Sequence, residues 1–564
     1  MYGLSSYNRQ QPYAPHIHPN REGLIAMSAL TNYSNTPPTQ REKAKPNQVL
    51  NNASGYVFEV SDITRLERFL IIGTDKGTYY VSEKDITKQN VDFLRKMIVS
   101  DPFTVLNKTV EVSEAGRAYR NEAAIFVLAL ILAEGTAPGI KQAVIAATPK
   151  VARTATHVYQ LAEFIDNLGG WGRAKREAIA GWFTSKSAES LAYQAVKYRQ
   201  RNGWTLRDLM RLSHPQGIDQ NVGNFILGKF QDTPDSPAIM QGFTAMQNAS
   251  GPRNVLSVLN NYPNLPWETI PTEFLKDPKV WKTLFANGQL KGQALVRQIT
   301  RLSRIGAFND MVFAREVANA LTDSDMIAKT RLHPIQYLLA LTTHTEGQLQ
   351  RNNLYGGYSM WGSARKKDWT TYPVIVDALD AGFHAAFKNL TPANKRTMLA
   401  LDVSGSMGSD ALGIDLSCAQ VSAAMAMVTA RTEPFYQIMG FATQFRDLGI
   451  TAKMDLGTVT KKINAATMGG TDVAQPMIWA LQNKVEVDTF AIYTDNETWA
   501  GRIQPDRALN DYRQKMGINA KLIVVGVSAT PFTVGDPDDA GTLNVAGFDS
   551  NAPGVISDFS AGRI

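Results

Sequence analysis

The chain has 564 residues, 44% hydrophobic and 19% charged, with a net charge of +7, so it exceeds one ordinary core and two or more domains are expected. Its single cysteine, Cys418, excludes intrachain disulfides and cysteine-rich zinc or iron–sulfur sites. The longest apolar run, Ala123–Ala133, is too short to span a bilayer, and Met1–Gln10 lacks the features of a secretory signal, so a soluble, cytoplasmic protein is expected.

The charge is unevenly spread. Residues 1–390 carry 44 Lys+Arg against 33 Asp+Glu, whereas residues 391–564 carry 14 against 18. A basic front and a mildly acidic back suggest a polyanionic partner for the front.

Residues 1–53 are rich in Asn, Gln, Pro, Ser and Tyr and read as a flexible arm. His16 and His18 within it are two apart and read as tail residues. Gly55–Val60 reads as the first strand, followed by Arg65–Gly73 and a turn and strand at Gly77–Val81. Beyond residue 87 the periodicity is almost wholly helical. Val91–Val99, Asn121–Glu134, Ile140–Ala147, Thr156–Asn167, Arg173–Phe183 and Ala188–Arg201 are helix-length segments, and others follow to Phe387. Short helices with short connectors suggest stacked helix pairs, a HEAT-like α-solenoid, over residues 54–390. An irregular bundle is the alternative.

Within this region, Trp171–His214 is basic and aromatic. Lys197 and Arg201 are four apart, which would place them on one helix face, and Arg207 and Arg211 repeat the spacing. Gly203 is placed to end the first helix and Thr205 to cap the next. Such an array of cations suits phosphates, with Tyr198 or Trp204 available to stack on a base. His214, before Pro215, reads as a turn residue. The alternative is a solvated basic face over core aromatics.

Near residue 390 the pattern changes, and residues 391–564 read as an α/β domain. Strands at 397–401, 436–441, 489–494 and 522–526 alternate with helices, which implies a parallel or mixed sheet. The tail from Pro537 to Asp558 reads as turns and one short helix. Asp402-Val403-Ser404-Gly405-Ser406-Met407 leaves the first of these strands and precedes Ile414–Arg431, a helix-like run. Gly469-Gly470-Thr471-Asp472 lies between two helical runs, and Asp495 follows the strand at 489–494. Carboxylate plus hydroxyl is a hard-oxygen set suited to Mg²⁺ or a similar cation. The alternative is that Ser404 and Ser406 cap the helix and Asp402 is a solvated acid.

The order strand, DxSxS, Thr, strand, Asp resembles the metal-ion-dependent adhesion site of von Willebrand factor A domains. That resemblance implies an ion held by Asp402, Ser404, Ser406, Thr471 and Asp495. Taken with Gly77–Tyr80, Lys197–Pro215, Gly469–Met477, Tyr493–Thr498, Lys521–Val527 and Gly535–Asp539, the chain from about Gly55 onward resembles the Ro ribonucleoprotein, or TROVE-module, family. The resemblance implies a ring of helical repeats closed by a von Willebrand A domain. It implies small noncoding Y RNA on the outer surface and single-stranded ends of misfolded RNA in a central hole, serving RNA quality control or a stress response. Lys197, Arg201 and His214 match positions that contact Y RNA in that family. Residues 232–262 look more open than the family pattern.

The expected protein is a monomeric RNA-binding scaffold and not an enzyme. Its partners would be RNA and, through the metal position, an exoribonuclease or other protein. The rivals are a Mg²⁺-dependent phosphohydrolase or nuclease, for which Asp472 and Glu497 could supply further acids, and a protein-adhesion module without RNA.

Overall fold

The computed structural model describes residues 38–73, 83–349, 365–387, 390–411, 414–466 and 469–564. The expected strand at Gly77–Val81, together with His16 and His18, lies outside the described residues.

Residues 38–53 depart from the expected flexible arm, because they are folded. Gln48–Leu50 (β1) pairs antiparallel with Tyr56–Glu59 (β2), and β2 pairs antiparallel with Phe532–Thr533 from the far end of the chain. Gln40, Gln48 and Asn51 are buried although polar. Their amides bond to side chains and main chain of the α/β domain, which offsets the cost of leaving water.

The helical array begins with α1 (Asp62–Ile72), α2 (Glu83–Ser100), α3 (Pro102–Ala115), α4 (Glu122–Glu134), α5 (Ile140–Val151) and α6 (Ala155–Asn167). It continues through α7 (Arg173–Thr184), α8 (Ala188–Lys197), α9 (Leu206–Ser213), α10 (Gln220–Leu227), α11 (Ala238–Gln247) and α12 (Pro252–Asn261). The last members are α13 (Pro278–Ala286), α14 (Gln293–Arg304), α15 (Met311–Thr322), α16 (Ser324–Thr330), α17 (Pro334–Glu346) and α18 (Pro373–Ala385). Gln348–Leu349 (β3) and Arg365–Lys366 (β4) pair between α17 and α18.

These helices stack as a chain. α1 packs on α3, α3 on α5, α5 on α7 and α7 on α9; farther along, α8 packs on α11, α11 on α12 and α12 on α13. A 3-10 turn at Ala307–Asn309 passes the stack to α14, which packs on α17. Helix α4 is apolar nearly all round and lies inside the stack against α3, α5 and α6.

The α/β domain runs β5 (Thr397–Asp402), α19 (Cys418–Thr432), β6 (Tyr436–Phe441), β7 (Phe445–Asp447), α20 (Leu456–Ala466) and α21 (Gln475–Gln482). It ends with β8 (Thr489–Thr494), α22 (Pro505–Met516), β9 (Lys521–Gly526), β10 (Phe532–Thr533), β11 (Thr542–Ala546) and α23 (Ala552–Ala561). The main sheet has the order β11-β9-β8-β5-β6-β7, parallel except for the edge strand β7. Strands β5 and β8 are buried along their whole length, as a parallel sheet covered on both faces requires. Met398 and Ala400 face one apolar layer with α21 and α22, while Leu399 and Leu401 join a second layer that runs on into the helical array.

Helix α1 rests on β11, and α17 rests on α19 and α20. The array therefore starts and ends on one domain, and the circuit closes as a ring. The two ends of the array also touch each other, since His333 Nε2 lies 3.2 Å from the Arg117 carbonyl.

Three further expectations are corrected. Strand β11 lies in what reads as a turn-rich tail; it pairs in parallel with β9 while three of its five residues stay half-buried. Helix α19 starts at Cys418 and not at Ile414, because Ser417 and Gln420 form a capping box there. Helix α8 stops at Lys197, short of Arg201. Asn202 and Gly203 both take positive φ, and Arg201 and Trp204 exchange main-chain hydrogen bonds across them. That is the Asn-Gly hairpin turn, a stronger local signal than the helical spacing of the cations.

Candidate metal centre and nucleic-acid interface

The order of the main sheet reverses between β5 and β8, and the C-terminal ends of such neighbours open a crevice. Asp402 ends β5 and Asp495 follows β8. One Asp402 oxygen accepts from the Ser404 amide at 2.9 Å and the other from the Thr494 hydroxyl at 2.7 Å. The Ser404 and Ser406 hydroxyls are 3.1 Å apart, and that of Ser406 bonds to Asp495. The Gly405 amide donates to the Gly469 carbonyl at 3.3 Å, which brings the loop carrying Thr471 alongside. All five expected residues are buried, and Thr471 Oγ1 has no hydrogen-bond partner.

Burial, then the negative charge of Asp495, pushes the Asp402 carboxyl up to about 7. Burial also raises Asp495. Two adjoining buried carboxylates with three hydroxyls, one of them orphaned, form a donor set that fits Mg²⁺ or a similar hard cation. The capping alternative does not hold. Ser404 makes no side-chain cap bond, Ser417 caps α19, and Asp402 is fully buried.

Asp472 and Glu497 are buried beside this set, but their carboxylates are engaged by residues 40–53. Burial raises both, Glu497 to about 8 with Asp495 adding to the effect. Sequence spacing marks these acids as candidates; nothing in the sequence reveals partners more than 400 residues away.

The basic stretch is arranged differently from expectation. Lys197 ends α8 and is half-buried, with its ammonium 3.2 Å from the Tyr193 hydroxyl, over the Tyr193 and Tyr198 rings, and 3.9 Å from Glu268. Arg201 is exposed in the hairpin turn, so it does not share a helix face with Lys197. Arg207 and Arg211 are exposed on α9, four apart as expected. Thr205 caps α9 in a reciprocal box with Asp208, and His214 ends it in the left-handed conformation, exposed. Tyr198 and Trp204 are half-buried and pack against the core, Trp204 edge-on to Trp171 at 5.4 Å. The corner thus offers Arg201, Arg207, Arg211 and His214 to solvent and keeps Lys197 behind Glu268. Glu268 carries no sequence signal for this role, because a 3-10 turn of a distant segment delivers it. Along the same run, a polar cleft of about 590 Å³ opens where α5 and α7 start, lined by Lys141, Arg173 and Glu177 among others.

Two family models match the chain, one described as the TROVE domain over residues 49–238 and 263–356, the other as the Ro60 vWA domain over residues 396–560. The RNA-binding protein RO60 of Deinococcus radiodurans is 39% identical over 534 residues, which span 93% of this chain and 97% of that protein. The chain belongs to the Ro60 family. The RNA-binding protein RO60 of Caenorhabditis elegans is 30% identical over 608 residues, spanning 93% of this chain and 92% of the relative. The crystal structure of the Deinococcus radiodurans RO (RSR) protein matches with a TM-score of 0.65 at 37% identity, covering 89% of this chain and 100% of that one. The α/β domain of this Ro60-family chain is thus a von Willebrand A domain that closes a helical ring. The TROVE match begins at Val49, inside β1, and breaks over residues 239–262, where α11 and α12 lie. That break falls within the stretch that looks open in the sequence.

Among the described residues, no helix is long and apolar enough to cross a membrane.

Proposed function

We propose that this chain is an RNA-binding ring protein of the Ro type, a scaffold and not an enzyme, acting in the cytoplasm as a monomer. Small noncoding Y RNA would lie on the outer basic corner, its phosphates meeting Lys197, Arg201, Arg207, Arg211 and His214. A single-stranded 3′ end of misfolded RNA would pass through the ring, in RNA quality control or a stress response. The observation that supports this reading is the exposed cluster of Arg201, Arg207, Arg211 and His214 on one turn and one helix, in a chain whose relatives are named RNA-binding proteins. Phosphate neutralisation by several cations makes binding steeply salt-dependent, and recognition rests on shape and strand accessibility. The test is a gel shift with a Y-like RNA on the Lys197→Ala/Arg201→Ala double variant. Affinity and salt slope equal to wild type would remove this corner from the site.

A second reading concerns the buried oxygen set, supported by the orphaned Thr471 hydroxyl. Asp402, Ser404, Ser406, Thr471 and Asp495 would hold Mg²⁺ or another divalent cation. When bound, the ion would supply an electrophilic position for a partner's carboxylate, such as that of an exoribonuclease. The chain's own part is to keep two carboxylates buried and hydroxyls converging on one point. Incubating the Mg²⁺-loaded protein with RNA and finding cleavage would favour the hydrolase alternative instead.

A further inference from the structure

We propose that Gln40 and Asn52 are positioning residues for the metal centre: the folded segment 38–53 straps the two loops that carry Thr471 and Asp495, and it occupies the carboxylates of Asp472 and Glu497. This rests on the metal reading above.

Gln40 is fully buried and uses both halves of its amide. Its nitrogen donates to Asp472 at 2.7 Å and to the Ile503 carbonyl at 3.0 Å. Its oxygen accepts from the Thr498 hydroxyl and from the Gly501 amide. Asn52 donates to one Glu497 oxygen at 2.7 Å, while the Ala53 amide donates to the other at 3.1 Å. Asn51 donates to the Thr498 carbonyl at 2.8 Å. The approach is so close that a Cβ on Gly55 would lie 1.9 Å from that carbonyl oxygen.

Each strapped group passes its position on to an expected ligand. The Glu497 amide donates to an Asp495 oxygen at 3.1 Å. The Thr498 hydroxyl accepts from the Val473 amide, and the Trp499 and Ala500 amides donate to the Thr471 carbonyl at 3.0 Å. Asp472 adjoins Thr471 in the chain. Outer partners that orient metal ligands in this way act strongly on affinity. The strap shares in setting the composition of the centre, with Gln475 donating to the other Asp472 oxygen at 2.8 Å. With Asp472 and Glu497 bonded to amides, the ion is left two carboxylates and three hydroxyls, an adhesion-type set.

The test titrates Mn²⁺ into the full chain by electron paramagnetic resonance and follows melting in parallel. Wild type, Asp402→Ala, Gln40→Ala, Asn52→Ala and Lys45→Ala are compared. Lys45 lies on the same strap but pairs with Asp506 and Asp536, so it serves as the structural control. Gln40→Ala and Asn52→Ala should weaken Mn²⁺ binding by about tenfold. Lys45→Ala should lower the melting temperature and leave Mn²⁺ affinity unchanged. If Gln40→Ala does not fold, Asn52→Ala decides alone. Wild-type affinity in both strap variants would overturn the inference, as would an equal loss in Lys45→Ala. Equal Mn²⁺ binding by wild type and Asp402→Ala would sink the metal reading itself, a separate result.

Discussion

The Arg117 guanidinium meets the Asp549 carboxylate at 2.7 Å, across the junction between the helical array and the von Willebrand A domain. The same guanidinium reaches Glu67 on α1 and Glu111 on α3, and the Arg117 carbonyl accepts from the Ser550 amide at 3.4 Å. With His333 also on that carbonyl, one residue joins the start of the array, its end and the domain that closes it.

Arg117→Ala should therefore be among the most destabilising single changes at the ring junction. Asp549 is only 2% exposed at its side chain, and removing its partner leaves a buried charge unpaired. The expected cost is about 3–5 kcal/mol, read from denaturant midpoints. A loss below 1 kcal/mol would mean that the apolar contacts of α1 and α17 close the ring without this pair.

His333 gives the junction a pH dependence. Its Nδ1 accepts from the Ile335 amide and caps α17, so Nε2 carries the proton donated to Arg117. Burial lowers its pKa from 6.5 to about 4. Below pH 6.5 the unfolded chain takes up a proton that the folded chain refuses, so stability falls as the pH drops from 6.5 towards 4. The full loss is about 3 kcal/mol. His333→Asn keeps a capping acceptor without titrating in this window, and it should flatten that part of the stability profile. An unchanged profile would assign the acid sensitivity to other groups.

On the basic corner, Arg207→Ala/Arg211→Ala should weaken RNA binding. It should also lower the slope of log affinity against log salt by roughly 1.5, for two lost phosphate contacts. Both side chains are exposed, so the melting temperature should stay within about a degree of wild type. Glu268→Gln should act in the opposite direction. The Glu268 carboxylate stands 3.9 Å from the Lys197 ammonium, where a phosphate would compete with it. Its removal should tighten RNA binding several-fold, by up to about 1 kcal/mol; a gel shift in low and high salt checks both variants.

Mg²⁺ should raise the melting temperature of wild type and leave Asp402→Asn where it stands. At an ion concentration a hundred times the dissociation constant, the expected stabilisation is about 2.7 kcal/mol. In chelator the order should reverse. Asp402→Asn should then be at least as stable as wild type, because burial disfavours the wild-type carboxylate. Equal Mg²⁺ responses would remove Asp402 from the ligand set.

Local features were the legible ones. The DxSxS loop, the largely apolar, fully buried strands β5 and β8, the cap at Thr205 and most helices follow from residues within a few positions of each other. What sequence reading missed depends on distant partners. Gln40, Gln48 and Asn51 look like tail residues until the loops they bond to are in place. Strand β11 looks like a tail because an edge strand with half-buried residues lacks the apolar run of β8. Lys197 looks as free as Arg211 because Glu268, some 70 residues on, carries no marker of its own. Two local signals override the first reading: the Asn202-Gly203 turn outranks the spacing of cations at Arg201, and the Ser417–Gln420 capping box starts α19 later than Ile414.

Strand β2 pairs with β1 beside it in the chain and with β10 far beyond it, so the register of Glu59 with Phe532 is settled late in synthesis. That joint between the two ends of the chain can form only after nearly all of it has been made.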